Sequence, residues 1–217
     1  MVAIIFAGSN LLYANNNDSI QQNTSLSSEK ILHLKTVWTN SSNAAGLHFF
    51  DIQNKIAKAY INFNHEEGDF HLFQQEKQNN ELGFFTSGYL NFNKWKFYGN
   101  FNYYKQTCEG VKWVDVMEPY NDNPYNLGDS VGGTYFKEYF KMRGKAAYQI
   151  NEMLTFGFDV KYKAGVGARR KDPRPSNVIT NFDILPGLVF NFNKIKLGAN
   201  FRYESGKEDI TLNTVTD

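Results

Sequence analysis

The chain has 217 residues and a formal net charge of +1, from 23 Lys and Arg against 22 Asp and Glu. That balance removes any global electrostatic case for nucleic acid, and a single cysteine, Cys108, excludes a disulfide framework or a cysteine-rich zinc site. No stretch reaches the roughly 20 apolar residues of a membrane-spanning helix, although a spanning strand hides its lipid face in alternation and escapes that search.

Residues 1–14 read as a secretory signal peptide lacking a basic start, with a buried strand or short helix as the alternative: an apolar run, Val2 to Leu12, leads into Tyr13-Ala14 and then Asn15-Asn16-Asn17-Asp18. Residues 15–54 are expected to form a linker and an N-terminal plug-like segment. Its first part is rich in Asn, Gln and Ser, and residues 31–38 make either a first strand or part of the plug.

From residue 55 to 217 the pattern becomes that of strands. Ala57, Ala59, Ile61 and Phe63 alternate with Lys58, Tyr60, Asn62 and Asn64. Gly68 turns the chain, and Phe70 to Glu76 is expected to return as a strand. Leu82, Phe84, Thr86, Gly88, Leu90 and Phe92 then lead into the stretch that organises the rest, Asn91 to Tyr104. It recurs as Asn191 to Glu204, with eight of the fourteen positions identical. In the first copy Trp95, Phe97, Gly99, Phe101 and Tyr103 oppose Lys96, Tyr98, Asn100, Asn102 and Tyr104. In the second, Ile195, Leu197, Ala199, Phe201 and Tyr203 oppose Lys196, Gly198, Asn200, Arg202 and Glu204. This is the two-residue period of a strand with one apolar face.

Between the copies, Phe136, Phe140, Met142 and Tyr148 oppose Lys137, Lys141, Arg143 and Lys145, with Glu138 breaking the apolar face. Leu154, Phe156, Phe158, Val160 and Tyr162 oppose Thr155, Asp159, Lys161 and Lys163. Val178 to Phe192 alternates again, and Pro186 predicts a bulge or irregular pairing because proline cannot donate to a ladder. Turns near residues 93, 152 and 193 are short, whereas loops at 107–133 and 167–177 are longer and lie at the opposite strand ends. That asymmetry, with strands long enough to cross a bilayer at a tilt, is the signature of an outer-membrane barrel.

The fold expectation is therefore all-β: an antiparallel up-and-down transmembrane β-barrel, localised to the bacterial outer membrane, with lipid and lipopolysaccharide as its surroundings. Phe, Tyr and Trp repeated along long strands would crowd a small closed core but suit lipid. Ser205 to Asp209 reads as turning away from the last clear strand. The eight strands preceding it are too few to hold so many polar chains, so the residues are expected to be the N-terminal part of a larger barrel, forming an open curved sheet with unpaired edges.

Trp38 with Asn43-Ala44-Ala45-Gly46-Leu47, Pro124-Tyr125 with Asp129 and Gly132-Gly133, Asp172-Pro173-Arg174-Pro175, and Pro186-Gly187 together resemble a family of uncharacterised outer-membrane β-barrels of Bacteroidota. The likeness spans about residues 30 to 205 and implies the fold, with no activity to carry over. Asn43-Ala44-Ala45-Gly46-Leu47 is also similar to the Asn-Pro-Ala-Gly-Leu element of fatty-acid-transporter-type barrels, with Ala44 in place of the proline.

On the polar face, Lys96, Lys141, Arg143, Lys145, Lys161, Lys163, Lys196 and Arg202 are candidates for a basic lumen that favours an anionic solute. The competing reading is that they pair across strands with Glu81, Asp159, Asp183 and Glu204. Arg169, Arg170, Asp172 and Arg174 form a basic surface-loop candidate for lipopolysaccharide phosphates or a partner. Trp113, in the acidic loop 107–133, is a second surface candidate, where calcium or glycan binding is conceivable. No cofactor is expected, and the residues hold no Gly-x-Ser-x-Gly elbow or His-Glu-x-x-His motif, so the reading is not of an enzyme. The function expected is a channel, transporter or assembly component. The alternatives are a surface-binding barrel with a closed lumen, or a soluble periplasmic lipid-binding barrel with Phe97, Phe101, Phe156 and Phe158 inside.

Overall fold

A computed structural model describes residues 38–50, 55–119, 127–171, 174–192 and 195–213. The expected signal peptide, the linker and most of the 31–38 segment lie outside these residues, as do Pro124, Tyr125, Asp172 and Pro173. The described residues hold a 3₁₀ helix, η1 (Ala44–Phe49), and eight strands: β1 (Ile56–Glu67), β2 (Gln78–Phe92), β3 (Trp95–Val111), β4 (Gly133–Gln149), β5 (Leu154–Arg169), β6 (Arg174–Phe192), β7 (Ile195–Asn200) and β8 (Tyr203–Asn213).

Every strand pairs antiparallel with its chain neighbour from β1 to β7, and β8 also pairs with β6. The sheet is open, as expected. No pairing among the described strands joins β1 to the far edge.

β7 and β8 are one strand in all but assignment. Gly187 opposite Asn200 and Ile184 opposite Tyr203 belong to the same register. The interruption falls opposite Pro186, whose carbonyl accepts from the Phe201 amide at 3.0 Å but whose ring nitrogen cannot return the bond. The irregularity expected at Pro186 is thus a missing rung rather than a bulge. A shift of register does occur between Cys108 and Val111, where Gly110 takes φ 77°. There the chain leaves the sheet for the loop that follows β3.

Two strand expectations are corrected. Phe70 to Glu76 is loop, because its alternation lasts too few residues to pair, and β2 begins only at Gln78. Ser205 to Asp209 does not turn away. It continues β8, with Ser205 opposite Phe182 and Asp209 opposite Val178. The loop expected at 167–177 also shrinks to residues 170–173, since Arg169 closes β5 and Arg174 opens β6. At the other end, the turns at residues 93–94 and 150–153 stay tight. Asn93 adopts φ 54° between β2 and β3, a left-handed conformation that asparagine tolerates.

The two faces differ in chemistry. On one, cross-strand register lines up Phe92, Trp95, Tyr148, Phe156 and Leu188 in a row near the short turns. A second row joins Ile61, Phe84, Tyr103 and Phe140. Trp95 and Tyr148 rings stand 4.7 Å apart, and Tyr103 and Phe140 rings 5.0 Å, pairs of the kind worth about 0.2–1 kcal/mol each. Nothing described covers this face, and Phe97, Phe156 and Phe158 are exposed. The other face carries Lys96, Lys145, Asp159, Asn177 and Asp183, all buried. Two segments cover it: residues 38–50 near the short turns, and residues 113–118 near the long loops.

Candidate functional site

The covered face is where chemistry concentrates, and its first seat is made by absence. Gly157 on β5 and Gly187 on β6 point into the space that Asn43-Ala44-Ala45 fills. A Cβ at Gly157 would stand 2.0 Å from the Ala45 nitrogen, and one at Gly187 would stand 2.4 Å from Asn43 Oδ1. Glycine inside a strand marks such a close backbone approach. Asn43 holds the segment down by donating from Nδ2 to the carbonyls of Leu188 (3.0 Å) and Ala199 (3.1 Å). Its Oδ1 accepts from the Ala45 amide, starting η1. Trp38 lies over Gly46, and Leu47 packs with Phe50, Tyr89 and Ala147. Three of the sequence elements behind the family resemblance, Trp38, Asn43 to Leu47 and Pro186-Gly187, thus meet at one place.

Buried cations complete this seat. Lys145 Nζ donates to the carbonyls of Thr39 (2.6 Å) and Ser41, and lies 3.9 Å from Asp159 Oδ2. Arg143 holds the fully buried Asp159 through Nε (3.0 Å) and a terminal nitrogen (2.6 Å), which also reaches Ser41 O at 2.9 Å. Lys96 Nζ donates to His48 O (2.6 Å) and Phe50 O (3.2 Å). Backbone carbonyls of residues 39–50 therefore satisfy charges that would otherwise be buried at high cost. Burial, with Lys96 and Lys196 nearby, holds the His48 pKa below the usual histidine value.

The second seat is made of carboxylates. Arg169, with a side chain 1% exposed, reaches Asp115 Oδ1 at 3.0 Å and Asp129 Oδ2 at 2.5 Å. Tyr135 Oη donates to the same Asp115 oxygen at 2.5 Å. Asn177 Nδ2 bonds the Asp115 carbonyl (2.7 Å) and Glu208 (2.8 Å), which accepts the Met117 amide at 2.8 Å. The Arg169 hydrogen bond, first among its causes, holds the Asp129 carboxyl below the usual carboxylate range. Val114 and Val116 pack on Cys108, Val111 and Tyr135 beneath it.

Beside the second seat, between the loop 68–77 and the segment 113–118, lies a cleft of about 620 Å³ bordered by Gln74, Tyr104, Gln106, Met117, Lys137 and Tyr139, among others. Tyr104 and Tyr139 stack at 4.8 Å. Lys141 sits 4.9 Å from the Tyr104 ring centre, and Lys163, paired with Glu118, lies 5.4 Å from that of Tyr139.

All eight lumen-basic candidates have partners. Arg143, Lys145 and Lys163 do so as described, Lys161 and Arg202 share Asp183 at 3.5 and 2.9 Å, and Lys196 lies 4.3 Å over the Phe49 ring. Arg143, Lys145, Lys161, Lys163 and Arg202 thus pair with carboxylates, whereas Lys96 meets backbone carbonyls and Lys141 and Lys196 meet aromatic rings, contacts that leave their charge in place. The surface-loop candidates divide. Arg169 is corrected from surface cation to buried anchor, because Asp115 and Asp129 neutralise it. Arg170 is exposed, Arg174 is the exposed first residue of β6, and Asp172 lies outside the described residues. Trp113 is exposed, as expected. No group of three or more His, Cys, Asp or Glu among the described residues is placed to hold a metal ion.

Sequence reasoning missed Asn43 as a clamp, the glycines beneath it, and Asp115 with Tyr135. The alternate glycines at 157, 165 and 167 on a charged face were the available signal. No curated protein and no solved structure matches the chain significantly. A family model does match residues 44–217, from the glycine-seated segment to the last strand, and the chain therefore belongs to the family of unknown function DUF6850.

Proposed function

We propose that this chain forms the wall of a bacterial outer-membrane β-barrel acting as a channel, transporter or assembly component, with the covered face toward the lumen. The observation that carries the reading is the belt on the bare face. On β3 and β4 no charge interrupts it from Trp95 and Tyr148 until Lys105 and Glu138, which pair with each other at 3.2 Å. Trp95 to Lys105 spans about 33 Å at roughly 3.3 Å per residue, or about 25 Å at the roughly 40° tilt of barrel strands, the height of an outer-membrane apolar band. A soluble barrel with Phe97, Phe156 and Phe158 inside would need that face covered, and the segments that do cover the sheet lie on the other one. In this reading residues 38–50 are a plug. The alternative of a surface-binding barrel with a closed lumen draws on the same two anchored segments.

The test reconstitutes the full chain in lipid vesicles with spin labels at Phe101, Phe156 and Leu197, and at Asn100, Lys161 and Lys196. The first three should respond to lipid-soluble quenchers and the last three to water-soluble ones. Phe158→Arg should cost about 2–4 kcal/mol of folding into vesicles, while Lys161→Arg costs almost nothing. Equal costs, or labels at Phe156 shielded from lipid, would overturn the reading. Conductance across planar bilayers then separates an open lumen from a closed one.

A further inference from the structure

We propose that the cleft between the loop 68–77 and the segment 113–118 binds a neutral glycan. The inference goes beyond the barrel reading and stands on the cleft alone. At about 620 Å³ the cleft falls within the usual size of small-molecule sites, and its lining decides the class of ligand.

A lipid would need a mainly apolar lining, yet Gln74, Gln75, Glu76 and Gln106 all border this cleft. An anion would need an excess of cations, and the lining sets Lys137 and Lys163 against Glu76 and Glu118, of which Glu118 pairs with Lys163. What remains is an amphipathic surface: apolar side chains such as Leu72, Val114 and Met117 with the tyrosine pair, and amides and carboxylates. A sugar ring has matching chemistry, with an apolar C–H face that lies on aromatic rings and an equatorial edge of hydroxyls that exchange hydrogen bonds with amides and carboxylates.

Trp113 supplies an independent observation. It takes φ 61°, a backbone conformation unfavourable for a bulky residue and one that concentrates at functional sites. Both its backbone groups are tied: the amide donates to Asp129 O at 2.9 Å, and the carbonyl accepts from Gln74 Nε2 at 3.1 Å. The chain thus holds a strained residue in place, and the result is an indole left 43% exposed rather than buried. It stacks on Phe73 at 5.8 Å. The pair adjoins the cleft through Leu72, Gln74 and Val114, their chain neighbours in its lining. Trp113 and Phe73 form a platform at the rim, and the mutually stacked Tyr104 and Tyr139 line the wall within.

The experiment screens the full chain, in a detergent without a sugar headgroup, on an array of neutral and acidic glycans, then measures the best oligosaccharide by titration calorimetry. Laurate and a uronic-acid oligosaccharide serve as competitors. Trp113→Gly removes the indole while suiting the left-handed backbone; Phe73→Ala and Gln106→Leu probe the rim and the wall. A neutral oligosaccharide should bind saturably, and at least one of these variants, folded as judged by circular dichroism, should weaken it tenfold or more. The proposal is overturned if no neutral glycan on the array binds, if laurate or the uronate displaces the bound sugar, or if all three variants keep the parent affinity.

Discussion

Two segments lie on the same face of one sheet, and they are seated by opposite means. Residues 38–50 bring no side-chain charge that the wall needs. The wall supplies Arg143, Lys145 and Lys96, and the segment answers with carbonyls and with the smallness of Ala44 and Ala45 over Gly157. Residues 113–118, by contrast, bring a carboxylate, Asp115, to the wall's Arg169, and Asp129 from the same loop closes on it. The first seat is specified by shape and backbone, the second by ionic pairs. The difference teaches where each seat is vulnerable: one to added volume, the other to lost charge.

The largest effect expected is at the ionic seat. Arg169→Met leaves Asp115 buried without its cation, and breaking a buried pair from one side costs about 3–5 kcal/mol. Urea unfolding of the variant, with proteolysis mapping the first cuts, should show loss of protection in 113–118 while 38–50 stays protected. Simultaneous exposure of both segments would mean that they are not independently seated.

Gly157→Ala is the matching break at the shape seat. The new methyl would meet backbone at 2.0 Å, which no rotamer change relieves, so the cost should be about 3 kcal/mol, the upper end for overpacking. Gly144→Ala is its control, because a Cβ there meets nothing within 4 Å and should leave stability unchanged. Proteolytic release of 38–50 in the first variant and not in the second is the readout.

The same contrast explains what was legible in the sequence. Strand identity and face assignment followed from local alternation, and β3 to β6 lie where Trp95 to Phe192 placed them. Ser205 to Asp209 was misread because its small and charged residues show no apolar period; only pairing with β6 makes it a strand. Arg169 was misread because it sits in a run of cations, whereas the residues that neutralise it lie far back in the chain at Asp115 and Asp129. Local charge suggested surface, and a long-range pair overrode it. The 38–50 seat fared better in part: the Asn43 to Leu47 motif was visible, but the glycines that receive it are more than a hundred residues away.

A smaller effect is expected from Lys145→Met. The thioether fits the stem's path, but the carbonyl of Thr39 loses the Lys145 hydrogen bond, while Ser41 O and Asp159 both keep Arg143. Losing that buried, charge-assisted bond costs about 1–3 kcal/mol. Hydrogen exchange should rise across residues 38–50 and remain unchanged across 113–118. Equal protection in parent and variant would show that the cation does not hold the segment.

The smallest effect separates the seats by pH. His48 has a folded pKa held below its ordinary value, so the unfolded chain binds a proton more readily than the folded one. Its contribution to stability is present above about pH 6.5 and declines as pH falls from there toward the folded value. Asp129 is also lowered, but from a carboxylate's starting point. Its contribution is present above about pH 3.9 and is lost only as pH falls through the still lower folded value. Acidification from pH 7.5 to 5 should therefore loosen residues 38–50 and spare the loop, whereas further acidification to pH 3 should loosen the loop as well. The His48 step should be modest, because solvent screens the half-buried ring. His48→Gln should abolish the first step and leave the second in place, read by hydrogen exchange at matched intrinsic rates. If the loop loosens first, or if His48→Gln leaves the upper step intact, the assignment of the two windows to the two seats fails.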